Sequence, residues 1–508
     1  MLDELAWSPG EEEDFFEVGD FCGWPLRIWP IMMRPFIRLN NRILCFDVFS
    51  LFDNVYRGIQ RIIFRLAPDY KQMWVKEQQE ISEALPFRYF QRLLPGAQVF
   101  RSIYYPSKTS SGPAKWCETD GLLIYEDHLF IFEIKAGSFT YTSPANDFSA
   151  HLDSLKSLVQ KPVSQGCRFI NYLESADEVS IANEAHQEVA RLRRSNFRHI
   201  TICAVTLDTF TEIAARSQHL QKIGLDMSRR LVWVLSIDDI RVYADLFDNP
   251  LVFLHFVEQR MSAARSDLVD LNDEMSHIGL YLAENNYSQY ATKLADNMRI
   301  GMLNLDSYRY TIDEYYRAIA FGAPVPPPKQ KMSPRFAEAI SFLAKTDFAG
   351  RAKLASFLLD INSNNNKLFQ VDLSDAIDQQ LDEHVKLGRA KPISIYGDTE
   401  SVTLYCWSPA VPRIRDQAIE GTRVLMTLDK EMNRRLIELE YDDRGMLQNI
   451  HGQEVSIVGL SQEILEHLIS AAEILRKARV TAAQKKQKIG RNNPCPCASG
   501  KKFKLCCL

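Results

Sequence analysis

The chain has 508 residues, 46% hydrophobic and 25% charged, with a formal net charge of −5. That length provides for roughly two to four domains with buried cores, and the composition is that of an ordinary globular protein. The acidic balance does not announce a nucleic-acid binder, although a locally basic groove would suffice. The sequence contains neither a phosphate-cradling GxxxxGK[ST] loop nor a glycine-rich dinucleotide fingerprint, which argues against ATP-driven work.

The opening MLDELAWSPGEEEDFFE is acidic where a secretory signal needs basic residues. The apolar stretch from Phe21 to Ile37 is broken by Pro25, Arg27, Pro30, Arg34 and Pro35, so it cannot cross a bilayer as a helix. Six of the ten cysteines (Cys22, Cys45, Cys117, Cys167, Cys203, Cys406) are scattered without a disulfide framework. A reducing, cytoplasmic setting is the natural expectation.

Residues 1–68 read as a small cap. Asn40-Asn41 sits between the apolar runs Pro35–Leu39 and Ile43–Phe49 as a hairpin turn would, and Val55–Leu66 has helical spacing. Trp24 and Trp29 are expected to pack rather than to stack on bases. A helical segment with Glu77, Glu80 and Glu83 follows, three residues apart and so neighbours on one face. Pro86 is expected to break or kink it. After the Leu93–Gly96 turn comes a strand, Gln98–Tyr105.

The next stretch, TDGLLIYEDHLFIFEIK from Thr119 to Lys135, predicts a β-hairpin turning at Glu126-Asp127-His128. Glu133 and Lys135 then share a face with Leu129 and Ile131, while Phe130, Phe132 and Ile134 take the other. Asp120 falls roughly opposite Lys135. A strand apolar on both faces is a buried central strand, and ionised groups in it need partners or a metal. Two carboxylates and an ammonium on one patch form the constellation that divalent-metal hydrolysis of a phosphodiester requires.

Residues 138–148 read as a loop across the mouth of this patch. A helix begins at Lys161 with Pro162 in its first turn. Val163, Cys167 and Ile170 form one stripe of it; Gln165, Phe169 and Tyr172 form another. Strands at Ile200–Leu207 and Arg230–Ile237 and a helix at Asn249–Ala264 complete the unit, followed by a helical extension to Ala320. Residues 321–334, with five prolines, read as a semi-rigid linker.

Residues 335–480 read as an α+β accessory domain of blocks rather than alternation. Helices at Phe336–Leu359 and Ser374–Leu387 precede strands at Ser401–Trp407, Thr422–Leu428 and Arg435–Tyr441, with a last helix at Gln462–Ala478. Asn362–Lys367 is a polar loop and Tyr441–Gly445 a turn. The tail, residues 485–508, contains Cys495, Cys497, Cys506 and Cys507 among lysines and arginines. Thiolates spaced C-x-C, eight residues, then C-C can close a tetrahedral zinc site in a segment too short for its own core.

Two resemblances attach to these residues. Asp120, twelve intervening residues, then Glu133-Ile134-Lys135 resembles the core of the PD-(D/E)xK, restriction-endonuclease-like superfamily, with Thr119 where the family name has proline. The order helix, strand, hairpin, helix, strand over roughly residues 70–245 is similar too. The resemblance implies an α/β, restriction-endonuclease-like mixed sheet flanked by helices in residues 69–320. It further implies Mg²⁺ or Mn²⁺ held by Asp120, Glu133 and the Ile134 carbonyl, with Lys135 positioning the attacking water. An upstream helical glutamate, for which Glu83 is the choice, and a helical glutamine, Gln165, would complete the site. The tail resembles the SEC-C zinc-binding motif known from the preprotein translocase ATPase. This implies Zn²⁺ on Cys495, Cys497, Cys506 and Cys507 and a docking role toward a protein or nucleic-acid partner.

The resulting expectation is a metal-dependent nuclease acting on DNA or RNA and recruited through its tail. Proteins that join such parts resemble prokaryotic defence or repair factors. The alternative is an inactive nuclease-fold subunit that binds nucleic acid or serves as an adaptor in a larger complex.

Overall fold

The computed structural model describes residues 2–11, 33–107, 115–138, 147–209, 215–227, 230, 232–266, 268–347, 349–361, 373–387, 389–396, 401–486, 490–491, 495 and 502–505. Trp24, Trp29, the Asn362–Lys367 loop and most of the 138–148 loop lie outside them. The chain divides into two units, Met1–Gln330 and Lys331–Leu508, and the division falls within the proline-rich stretch.

In the first unit, β1 (Ala6–Trp7), β2 (Phe36–Leu39) and β3 (Arg42–Cys45) form a small sheet. Asn40 and Asn41 both take left-handed backbone angles, φ 47° and 65°, as a two-residue hairpin turn requires and as asparagine tolerates. The helix α1 (Val48–Leu66) starts a full two turns earlier than its apolar spacing indicated. The helix α2 (Lys71–Leu93) runs unbroken through Pro86. Proline there forfeits one backbone hydrogen bond, but Pro86, Phe87 and Phe90 are buried together, and that burial holds the helix.

The main sheet has seven strands in the order β10-β9-β6-β5-β4-β7-β8. They are β4 (Gln98–Ser107), β5 (Lys115–Tyr125), β6 (His128–Lys135), β7 (Val179–Ala182), β8 (Glu188–Leu192), β9 (His199–Thr206) and β10 (Val232–Ser236). It is mixed: β6, β9 and β10 run parallel, and the remaining pairs are antiparallel. The strand β6 lies in the interior of the sheet, buried on both faces. The hairpin turn is Glu126-Asp127, with His128 paired to Tyr125, so it is one residue tighter than the sequence indicated. The β7–β8 hairpin at the sheet edge was not anticipated, because its strands are short and half polar.

One face of the sheet is covered by α3 (Phe148–Leu155), a π-helical turn (Lys156–Gln160) and α4 (Lys161–Leu173). The Lys161 N–H bonds to the Lys156 carbonyl five residues back; Pro162, which has no N–H to give, follows directly. Val163, Phe169 and Ile170 of α4 join Leu129 and Ile131 of β6 and Ile202 and Ala204 of β9 in one core. The other face carries α2: Phe90 packs edge-on to Phe130 and Phe132. It also carries α5 (Ile237–Leu246) and α6 (Pro250–Ala264), which Ser236 and Asn249 cap. The extension comprises α7 (Glu274–Ala283), α8 (Tyr287–Met298) and α9 (Tyr310–Ala320), with the two-residue strands β11 (Val269–Asp270) and β12 (Leu303–Asn304).

The second unit begins with α10 (Pro334–Lys345), α11 (Arg351–Ile361) and α12 (Leu373–Leu387). Its sheet has the order β13 (Ile393–Tyr396), β14 (Ser401–Trp407), β15 (Asn433–Tyr441), β16 (Leu447–Ser456). Here one expectation fails: Thr422–Leu428 is not a strand but part of α13 (Arg415–Asp429). Its β-branched residues look strand-like, yet Ala418, Thr422, Leu425 and Met426 are the buried set, at the spacing of one helix face. Gly421 permits this packing, since a Cβ there would lie 1.9 Å from the Tyr405 hydroxyl. The helix α13 connects the parallel strands β14 and β15, so this domain contains a β-α-β crossover as well as blocks. The Tyr441–Gly445 turn forms, with Asp442 Oδ1 accepting the N–H groups of Arg444 and Met446. The last helix, α14, spans Gln462–Lys486. Among the described residues no helix is long and apolar enough to cross a membrane.

Candidate active site

The β5–β6 ladder runs from Tyr125↔His128 to Gly121↔Phe132 and ends there. Beyond it Asp120 closes the gap with its side chain: Oδ2 accepts the Ile134 N–H at 2.5 Å. The other edge of β5 is irregular at the same level. Pairing with β4 passes from Arg101↔Gly121 to Ile103↔Thr119, and the skipped Ser102 has φ 48°. The register is the same on both sides of Ser102, so the irregularity is a local left-handed backbone turn opposite Asp120 and inserts no extra residue. Gly121 leaves no alternative path, because a Cβ there would meet Phe87 Cζ at 2.5 Å and the Phe100 carbonyl at 2.7 Å.

Asp120, Glu133 and Lys135 therefore gather where β5 peels away from β6. Lys135 Nζ lies 3.7 Å from Asp120 Oδ2, both side chains about one-fifth exposed (22% and 17%). Glu133 is fully buried, and neither of its carboxylate oxygens has a hydrogen-bond partner. Burial, then the neighbouring Asp120 charge, pushes its carboxyl up to about 8, against the pull of Lys135. A buried carboxylate without partners is costly; a divalent cation is the partner whose charge would lift that cost. The Lys135 carbonyl accepts from Leu207 N–H, so alternation along the strand turns both backbone groups of Ile134 to the Asp120 side. The donor set is all hard oxygen: two carboxylates and one carbonyl, which suits Mg²⁺ or Mn²⁺.

The wall opposite is α4. Gln165 Oε1 is buried and unpartnered. Arg168, one turn on and on the same helix face, exerts its charge on Glu133 and touches the Cys117 sulfur at 3.5 Å. The Tyr105 hydroxyl is also buried without a partner, and burial pushes its pKa well above that of a free phenol. Tyr105 and Arg168 belong to the site by position and were not singled out in the sequence, where an aromatic strand residue and a helix arginine carry no signature. Glu83 is placed elsewhere. It accepts from Gln79 on its own helix at 2.8 Å, and α2 packs on the face of the sheet away from Glu133. Gln78 of that helix does reach the site's margin. With Arg57 it holds the Ala136 carbonyl, at 2.7 and 3.0 Å, directly after Lys135. Arg57 is in turn tied to Asp208 at 2.7 Å.

In the tail, Cys495 and Phe503 are buried, and Lys504 N–H bonds to the Arg491 carbonyl at 3.0 Å. That bond joins Arg491, ahead of Cys495, to Lys504, ahead of Cys506 in the sequence. A short 3₁₀ turn, Phe503–Leu505, leads to the second cysteine pair. Cys497, Cys506 and Cys507 lie outside the described residues. Residues 491–508 match the SEC-C motif. The chain is 34% identical over 94 residues to protein translocase subunit SecA of Syntrophus aciditrophicus (strain SB). Those residues are 18% of this chain and 10% of that protein, so the chain spans about a tenth of that relative's length. No solved structure matches the chain.

Proposed function

We propose that the first unit is a metal-dependent nuclease of restriction-endonuclease-like fold, and that the SEC-C tail binds zinc and recruits it to a macromolecular partner. The observation that carries the nuclease reading is the Glu133 carboxylate, fully buried without a partner beside Asp120 and Lys135 at an opening in the sheet. The resemblance of the hairpin to the PD-(D/E)xK core points the same way.

Asp120, Glu133 and the Ile134 carbonyl would hold Mg²⁺ or Mn²⁺. When bound, the ion would supply Lewis acidity to a phosphodiester and lower the pKa of a coordinated water. Asp120, anchored by the Ile134 N–H, keeps its second oxygen available. Lys135 offers three donors to an attacking water or a phosphate oxygen, steadied by Asp120 on one side and by the Arg57–Ala136 contact behind it. Arg168 on α4, whose charge reaches Glu133, suits a polar, anionic substrate, and Gln165 lies one turn before it on the same helix.

Four cysteine thiolates in the tail would hold Zn²⁺, with the surrounding lysines and arginines offsetting the cluster's negative charge. The substrate class is DNA or RNA, and a cytoplasmic setting suits the free thiols.

The test is cleavage of a panel of single- and double-stranded DNA and RNA with Mg²⁺ or Mn²⁺. Wild type should cut, and Glu133→Ala and Lys135→Ala should both lose metal-dependent cutting. Equal activity in all three would place the chemistry elsewhere.

A further inference from the structure

The far end of β6 carries a second constellation, which the proposed nuclease does not use. His128 opens β6 and His199 opens β9, and the parallel ladder pairs them directly. Their rings stack at 4.7 Å between centroids. Glu258, from α6, reaches the pair. Its Oε1 lies 3.2 Å from His128 Nε2 and 3.5 Å from His199 Nε2. The three ligand atoms all fall within 4.8 Å of one another.

We propose that His128, His199 and Glu258 form a metal site, distinct from the Asp120–Glu133 centre, that holds one Zn²⁺ through His128 Nε2, His199 Nε2 and the Glu258 carboxylate. Four observations support it. First, the two Nε2 atoms are buried, and Glu258 Oε1 is the group each approaches, at ion-pair distance and outside good hydrogen-bond geometry. Second, the two edges from Glu258 have the spacing of a coordination sphere, and the third lies within 4.8 Å. Zinc bonds of about 2.0–2.1 Å imply a tetrahedron edge of roughly 3.3 Å, and 3.2 and 3.5 Å bracket it.

Third, His128 already has the outer partner that metal-bound histidines carry. Asp127 Oδ1 lies 2.9 Å from Nδ1. A carboxylate there keeps the proton on Nδ1 and turns the Nε2 lone pair inward. Fourth, a cavity adjoins His199. His199 and Arg198 line a cavity of about 650 Å³ together with Arg194, Arg230 and Arg265. A two-histidine, one-carboxylate set leaves a fourth position for water or an anion, and that arginine lining suits an anion.

Arg198 is the built-in competitor. It donates to Glu258 Oε1 at 2.7 Å and to Asp127 Oδ2 at 2.8 Å. With zinc on Oε1 it would retain Asp127 and lean on Oε2, now 3.5 Å from its Nη1. In either state it holds the two carboxylates in place.

The experiment titrates Co²⁺ into the full chain carrying Glu133→Gln and Cys495→Ser, which disable the other two candidate metal sites. One equivalent should bind with the visible d–d bands of a low-coordinate nitrogen–oxygen site and without thiolate charge-transfer absorption. Adding His199→Asn should abolish those bands, and adding Asp127→Asn should weaken binding by about 10–100-fold. Should the histidine variant unfold, Glu258→Gln, which keeps the side-chain volume, serves in its place; circular dichroism tells which background is folded. No Co²⁺ uptake in the starting background, or uptake that survives His199→Asn and Glu258→Gln, would overturn the proposal. His128 would then be a charged histidine bridging Asp127 and Glu258 and nothing more.

Discussion

The Asp120 carboxylate takes the Ile134 N–H at 2.5 Å, so a single side chain closes the ladder where β5 and β6 part. The same carboxylate is a proposed metal ligand, which gives it two separable duties. Asp120→Ala should orphan the Ile134 N–H and cost about 1–3 kcal/mol of stability, in addition to abolishing cleavage. Asp120→Asn retains an oxygen acceptor while losing the charge. It should melt close to wild type and still fail to cut. Thermal unfolding paired with a cleavage assay separates the two.

Glu133 should reveal itself through pH. Its carboxyl is held at about 8, above its ordinary 4.5, when no metal is bound. Between those values the folded chain keeps a proton that the unfolded chain has released, so stability falls as pH rises from about 4.5 to 8. Glu133→Gln carries no such ionisation. In chelator-treated buffer the variant should be the more stable at pH 8, by up to about 4 kcal/mol, and the gap should close toward pH 5. Denaturant melts at several pH values measure this. A gap independent of pH would mean that Glu133 is not a displaced acid.

The Arg260–Glu274 pair is the structural anchor on the other face. Both side chains are essentially unexposed and bond at 2.7 Å, and Tyr243 and Trp233 also donate to Glu274. Glu274→Ala leaves a buried guanidinium uncompensated and should cost about 3–5 kcal/mol. A urea midpoint unchanged from wild type would contradict this arrangement.

Removing one tail ligand tests the zinc reading without touching the sheet. Cys495→Ser should lower the zinc content by one equivalent per chain, measured by elemental analysis. Cleavage of naked substrate should persist, because the tail is assigned recruitment and not chemistry. Unchanged zinc content would sink the assignment.

What the sequence disclosed followed physical rules. The run from Leu129 to Lys135 is apolar on both faces, so its central place in the sheet was legible, and with it the isolation of Glu133. Asn40-Asn41 marked its hairpin because asparagine accepts left-handed angles. The opening beside Asp120 was not legible. It arises where the β5–β6 ladder stops at Gly121, which packs against Phe87, and where Ser102 opposite Asp120 takes a left-handed backbone angle. Thr422–Leu428 misled because β-branched residues favour strands until burial every third or fourth residue overrides them. His128, His199 and Glu258 are far apart along the chain. Only the parallel pairing of β6 with β9 and the docking of α6 unite them, and no local pattern announces that.

The central claim is that the buried Glu133 carboxylate is a divalent-metal ligand, and Mn²⁺ binding followed by electron paramagnetic resonance tests it most directly. The comparison is the full chain with His199→Asn against the same chain with Glu133→Gln added, so that the second site contributes to neither. The account predicts one bound Mn²⁺ in the first protein and its loss in the second. Equal Mn²⁺ binding in both, or none in either, would contradict it.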